Sequence, residues 1–148
     1  MPALVTLGRI LFAVLFVFSG ASKLLDLTAT AQMTEKIVIP AILSPYTGQL
    51  ETLTGMSIAQ LLAIVSGAIE VTCGLMIALN FGARFFAIVL IFFVAAATFY
   101  FHDFWNQTGA DARGNLVHAL KNLSLIGALL MIAGSGRAAK GREPAYDV

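Results

Sequence analysis

The chain has 148 residues, 59% of them hydrophobic and only 11% charged, with a net charge of +1. Soluble domains carry roughly 25% charged residues, so a water-soluble globule is excluded, and the near-neutral balance, with no basic stripe or aromatic platform outside the apolar runs, speaks against a nucleic-acid partner. Cys73 is the only cysteine, which rules out an internal disulfide, a C-x-x-C dithiol and an iron–sulfur cluster ligated within the chain, so any redox role must borrow its cofactor.

Four apolar runs predict an all-α fold, an integral membrane four-helix transmembrane bundle over residues 1–134 with helices at about 3–23, 56–80, 83–104 and 115–134. Each approaches the ~20 residues that about 30 Å of hydrocarbon requires. The first run resembles a signal peptide, with Arg9 ahead of Ile10–Phe18 and a small-residue stretch Ser19-Gly20-Ala21 after it, but it is read here as an uncleaved helix. The connection from Leu24 to Ser57 is too long to be structureless. Thr28 is expected to cap a short helix ending near Val38, before Pro40 and Pro45 break it, and this helix is expected to lie in the interface over the outer mouth.

The second run holds Glu70 as its only acidic residue. An intramembrane carboxylate is costly to keep out of water and is a candidate functional group. If the first helix starts, and the antiparallel second helix ends near Leu79, at one membrane face, Arg9 lies about 9 Å and Glu70 about 13 Å from it, at 1.5 Å per residue. The sequence therefore predicts an Arg9–Glu70 ion pair, which either staples the helices or serves a proton or ligand role. Gly67, Ala68, Gly74 and Ala78, with Ala95–Ala97, Gly127 and Ala128 on the later helices, are read as close helix contacts.

A second polar group gathers at the other end. Lys23 closes the first helix, His102 and Asp103 close the third, and Asn115, His118 and Asn122 fall at i, i+3, i+7 on the fourth with Lys121 beside them. Lys23 and Asp103 could each be simple headgroup anchors, as could Trp105 in a belt with Tyr100 and Phe104. His118, Lys121 and Asn122 lie inside an apolar run and need partners, so Asp103 is the expected mate of Lys121. Two histidines at similar depth raise axial haem ligation, and hydrogen bonding is the simpler role for them. No cluster of ligands has metal-site spacing. Beyond Gly134 the sequence turns polar, and residues 135–148 are expected to form a cytoplasmic tail; the basic excess beside Arg9, Arg84, Arg137, Lys140 and Arg142 favours cytoplasmic termini.

Gly8-Arg9 opening the first helix, Ser19-Gly20-Ala21-Ser22-Lys23 closing it, Glu70 with Gly74 in the second, His102-Asp103-Phe104-Trp105 after the third, and Lys121-Asn122-Leu123 with Gly127 in the fourth together resemble the DoxX family over Leu4–Ala133. That resemblance implies a multi-pass bacterial inner-membrane protein associated with redox complexes, either as a quinone-linked subunit or as a membrane partner of thiol-handling and superoxide-removing enzymes. It implies a polar constellation of Arg9, Lys23, Glu70, His102, Asp103, Lys121 and Asn122 without a defined reaction, and the chain lacks the cysteine pair that a thiol relay needs.

Two functions follow as expectations. In one, the chain is the membrane subunit of a quinone-linked oxidoreductase. The outer cluster, His118 included, then holds a quinone headgroup or small anion, and Glu70 moves protons. In the other it is a non-catalytic scaffold that docks larger subunits or further copies of itself in the bilayer, and its polar residues only satisfy one another. No intrinsic cofactor is expected in either case.

Overall fold

The computed structural model describes residues 2–135, so the expected tail lies outside the described residues except for Ser135. Its helices are α1 (Pro2–Leu25), α2 (Leu27–Thr34), α3 (Ser44–Thr54), α4 (Ile58–Ala78), α5 (Ala83–Phe101) and α6 (Gly109–Gly134), with single 3-10 turns at Ala41–Leu43 and Phe104–Asn106. Among the described residues there is no strand. Four helices, α1, α4, α5 and α6, are long and apolar enough to cross a membrane, as the sequence predicts.

Local chemistry sets the boundaries. A capping box starts α4, in which the Ser57 hydroxyl accepts from the Gln60 amide at 3.2 Å and the Gln60 side chain accepts from the Ser57 amide at 2.9 Å. The turn into α5 uses Asn80 and Gly82, both at φ 57°, a left-handed conformation that glycine and asparagine tolerate best. At the opposite end α6 begins six residues before the expected position, because Gly109–Gly114 is polar yet helical and stands clear of the apolar span.

The long first loop departs from expectation. Its first helix is capped by Asp26, whose Oδ1 accepts from the Ala29 amide at 3.0 Å, and not by Thr28. Helix α2 does not lie over the mouth of the bundle. Thr30, Ala31 and Thr34 are buried, and the Thr34 hydroxyl donates to the Ala59 carbonyl at 2.7 Å, so α2 prolongs α1 along the first turns of α4. The surface helix is α3. Pro45 opens it instead of breaking a helix, since proline lacks only an amide hydrogen that a first turn leaves unpaired anyway. Ile42, Leu43, Tyr46, Leu50 and Leu53 are exposed on it and on the turn before it, an unpaired apolar stripe suited to the lipid interface.

Packing is uneven around the four spans. Helix α1 lies antiparallel to α4, α4 to α5, and α5 to α6, while α6 has no backbone approach to α1 or α4. The core gathers Phe16, Cys73, Ile77, Ala87, Leu90, Val94 and Leu129. Leu129 is the single buried residue of α6. The arrangement is thus a bent row of helices whose two end members, α1 and α6, leave a gap between them.

Candidate functional site

The α1–α4 contact builds the first part of the site. A Cβ added to Gly20 would come within 2.6 Å of the Gly67 carbonyl and 2.9 Å of the Glu70 Cβ, and one added to Gly67 within 2.9 Å of the Gly20 carbonyl. These two glycines let the backbones touch. Farther along, Gly74 sits against Ala13, Phe16 and Val17. This contact fixes the register, and Lys23 arrives beside Glu70: the Lys23 Nζ donates to the Glu70 Oε2 at 2.7 Å.

The expected Arg9–Glu70 pair is therefore replaced by Lys23–Glu70, the only salt bridge among the described residues. Depth counted from the apolar ends fails because the start of α1 and the end of α4 are not flush; the glycine contact slides α1 so that Arg9 comes level with the turn at Asn80–Gly82. Glu70 is 5% exposed, and eight residues, about 12 Å, separate it from the end of α4. The Lys23 side chain keeps 29% of its surface and lies 5.4 Å from the centre of the Phe93 ring on α5, a cation–π contact that offsets part of its desolvation. One carboxylate thus joins α1 and α4, and its partner also touches α5.

A second polar system links α5 to α6. Asp103 Oδ1 accepts from the Gln107 side chain at 2.7 Å, Gln107 Oε1 accepts from Asn115 at 2.6 Å, and Asn115 Oδ1 lies 3.0 Å from the His102 Nδ1. The His102 ring stacks on His118 with centroids 5.0 Å apart and planes 13° from parallel. Deeper in, Asn122 donates to the Thr98 hydroxyl at 2.9 Å, which donates to the Val94 carbonyl at 2.7 Å. These bonds satisfy polar groups that an apolar helix contact would otherwise strand.

This system corrects two expectations. Asp103 does not pair with Lys121; the 3-10 turn after it aims its carboxylate at Asn106 and Gln107 within its own loop, and Lys121 is exposed. The two histidines meet face to face. Axial haem ligands point ring nitrogens at a shared iron, so stacked rings do not fit that role. Of the residues singled out from sequence, Lys23 and Glu70 come together, as do His102, His118, Asp103 and Asn122 along the α5–α6 contact, whereas Arg9 and Lys121 stand apart. Sequence reading missed Phe93, Thr98 and Gln107. Only Gln107, four residues after Asp103 in a polar loop, left a signal.

The gap between α1 and α6 is the third feature. Lys121 shares a face of α6 with Ala128 and Ile132, at i, i+7, i+11, and on α1 the residues Phe12, Phe16 and Lys23 share a face at i, i+4, i+11. Phe12, Ala128 and Ile132 line a cavity of about 970 Å³ at the end of the gap that holds the α4–α5 turn.

A family model described as DoxX matches residues 4–103. The chain belongs to the DoxX family. Within this DoxX protein the matched segment covers α1 to α5, and so includes the Lys23–Glu70 pair and the glycine contact that forms it. The chain is also 28% identical over 135 residues to the inner membrane protein YphA of Escherichia coli (strain K12), a match spanning 91% of this chain and 84% of that protein. No solved structure matches.

Proposed function

We propose that this DoxX protein is the membrane subunit of a quinone-linked oxidoreductase complex in the bacterial inner membrane, with both termini in the cytoplasm. The inner membrane follows the name of its E. coli relative, and the orientation follows the arginines at the terminal end of the bundle. The observation that carries the functional reading is the Lys23–Glu70 pair, a titratable acid and an ammonium 2.7 Å apart within the apolar spans. A staple needs no such expensive groups where two glycines already fix the helix contact.

Reduction of a quinone to a quinol takes up two electrons and two protons. The single cysteine leaves the electrons to a cofactor-bearing partner subunit. The gap between α1 and α6 would admit the isoprenoid quinone sideways from the lipid. Lys23 of α1 and Lys121 of α6 would donate hydrogen bonds to the carbonyl oxygens, and Glu70 would relay protons to the Lys23 end. The chain of Asp103, Gln107, Asn115 and His102 offers a hydrogen-bonded path toward the loop end.

A specific observation favours the second reading, a non-catalytic scaffold. Helix α6 buries only Leu129 and leaves Lys121 exposed about 9 Å inward of Asn115, a surface that a partner helix could cover. Native mass spectrometry of the complex extracted in mild detergent separates the two. A co-purifying quinone that is lost in Glu70→Gln while the complex stays intact supports the first. A stoichiometric partner without any small molecule supports the scaffold.

A further inference from the structure

The cavity at the terminal end of the α1–α6 gap has a chemistry that the proton and quinone reading does not use. Its walls are apolar on both flanks, with Val5 and Phe12 from α1 and Ala128 and Ile132 from α6, and two guanidinium groups, Arg9 and Arg84, share its lining. Among the described residues no carboxylate lines it.

Neither arginine is neutralised by a described residue. The Arg84 Nε donates to the Ala133 carbonyl at 2.9 Å, closing the last turn of α6 and leaving the outer nitrogens of the fork without a hydrogen bond to the described residues. Among the described residues the buried Arg9 Nε has no hydrogen-bond partner, and its Nη2 reaches only the Thr6 hydroxyl, at 3.4 Å. A buried donor on a permanently charged group is costly to leave unmet. The described carboxylates do not meet the need. Glu70 is held by Lys23, and Asp26, Glu35, Glu51, Asp103 and Asp111 lie on the loop side of the bundle. The sequence beyond Ser135 carries Arg137, Lys140 and Arg142 against Glu143 and Asp147, a further basic excess that favours an external anion.

We propose that this cavity binds an anionic phospholipid, with the phosphate between Arg9 and Arg84 and an acyl chain lying in the gap between α1 and α6. Guanidinium forks suit phosphate oxygens in pairs. Depth agrees as well: Arg84 is the second residue of α5 and Arg9 is level with the Asn80–Gly82 turn, the headgroup end of the spans, while Phe12 and Ala128 lead from there toward the hydrocarbon. Arginines at this level are where an anionic leaflet contributes most. The lipid would fill the space that keeps α6 from α1 and complete the bundle. The site shares neither Lys23 nor Glu70 with the quinone reading, although its acyl chain would occupy the gap through which a quinone would enter.

The test uses the full-length protein, delipidated in mild detergent and followed by native mass spectrometry during titration with phosphatidylglycerol, phosphatidylethanolamine or inorganic phosphate. The wild type should retain phosphatidylglycerol at least about tenfold more tightly than phosphatidylethanolamine, and Arg9→Gln should lose about tenfold of that affinity, as removal of one charge-assisted bond implies. Arg113→Gln, an exposed arginine at the other end, should bind as the wild type does. Gly8→Leu is the second variant: Gly8 lines the cavity and a Cβ there meets nothing within 4 Å, so the protein stays folded while the added side chain blocks the acyl chain. Equal binding of the two lipids, or undiminished phosphatidylglycerol binding in both Arg9→Gln and Gly8→Leu, overturns the proposal. Saturation by inorganic phosphate at the concentration that phosphatidylglycerol needs would overturn the lipid and leave a free-anion site.

Discussion

The two flanks of α1 treat a half-buried cation in opposite ways. Against α4 the backbones meet at Gly20 and Gly67, and Lys23 finds its carboxylate at 2.7 Å. Toward α6 the helices stay apart around a cavity of about 970 Å³, and Arg9 keeps a buried nitrogen without a partner among the described residues. The first flank is complete within the chain. In the second no described residue supplies a counter-charge. The difference separates a self-satisfied contact, which can hold register or move a proton, from a surface proposed here to recognise a lipid.

The largest effect expected from breaking this contrast comes from Gly20→Val. Its branched side chain must displace the Gly67 backbone, which has no slack, so the variant should lose the folded monomer in size-exclusion chromatography, beyond the ~1–3 kcal/mol of ordinary overpacking. Next is Glu70→Ala, which leaves the Lys23 ammonium unmatched. The partial exposure of Lys23 keeps the cost near the lower end of a broken buried pair, about 3 kcal/mol in detergent unfolding. Smaller again is Asn122→Leu on the α5–α6 contact. It strands the Thr98 hydroxyl only on its acceptor side, and a loss of about 1 kcal/mol is expected by the same unfolding measurement. Smallest is Lys121→Gln, exposed and unpaired among the described residues. It should shift the stability of the isolated chain by less than about 0.5 kcal/mol, and a drop in association with a partner subunit would show that this side of the gap is an interface.

How much of this was legible in the sequence follows from the range of the forces involved. Hydropathy over about twenty residues is a local property, and all four spans are found by it within a few residues, apart from the polar start of α6. The isolation of Glu70 in an apolar run marked it as a group needing a partner. Which cation answers it was not legible, because the answer depends on how far α1 slides along α4. That slide is set by a glycine pair 47 residues apart, and no count of residues from a membrane face reports it. The polar face of α6 was read correctly for Asn115, His118 and Asn122, since i, i+3, i+7 spacing is a property of one helix. The partner assigned to Asp103 failed because the chain reverses immediately after His102 and turns the carboxylate into its own loop. Pro45 misled because proline breaks a helix interior and starts a first turn equally well.

Lys23, and not Arg9, is the partner of Glu70. A double-mutant cycle on unfolding free energy with Lys23→Met and Glu70→Gln, run beside a second cycle with Arg9→Gln and Glu70→Gln, tests this directly. A coupling of about 1–3 kcal/mol in the first cycle and additivity within about 0.5 kcal/mol in the second is the predicted result. Additivity in the first with coupling in the second would contradict it.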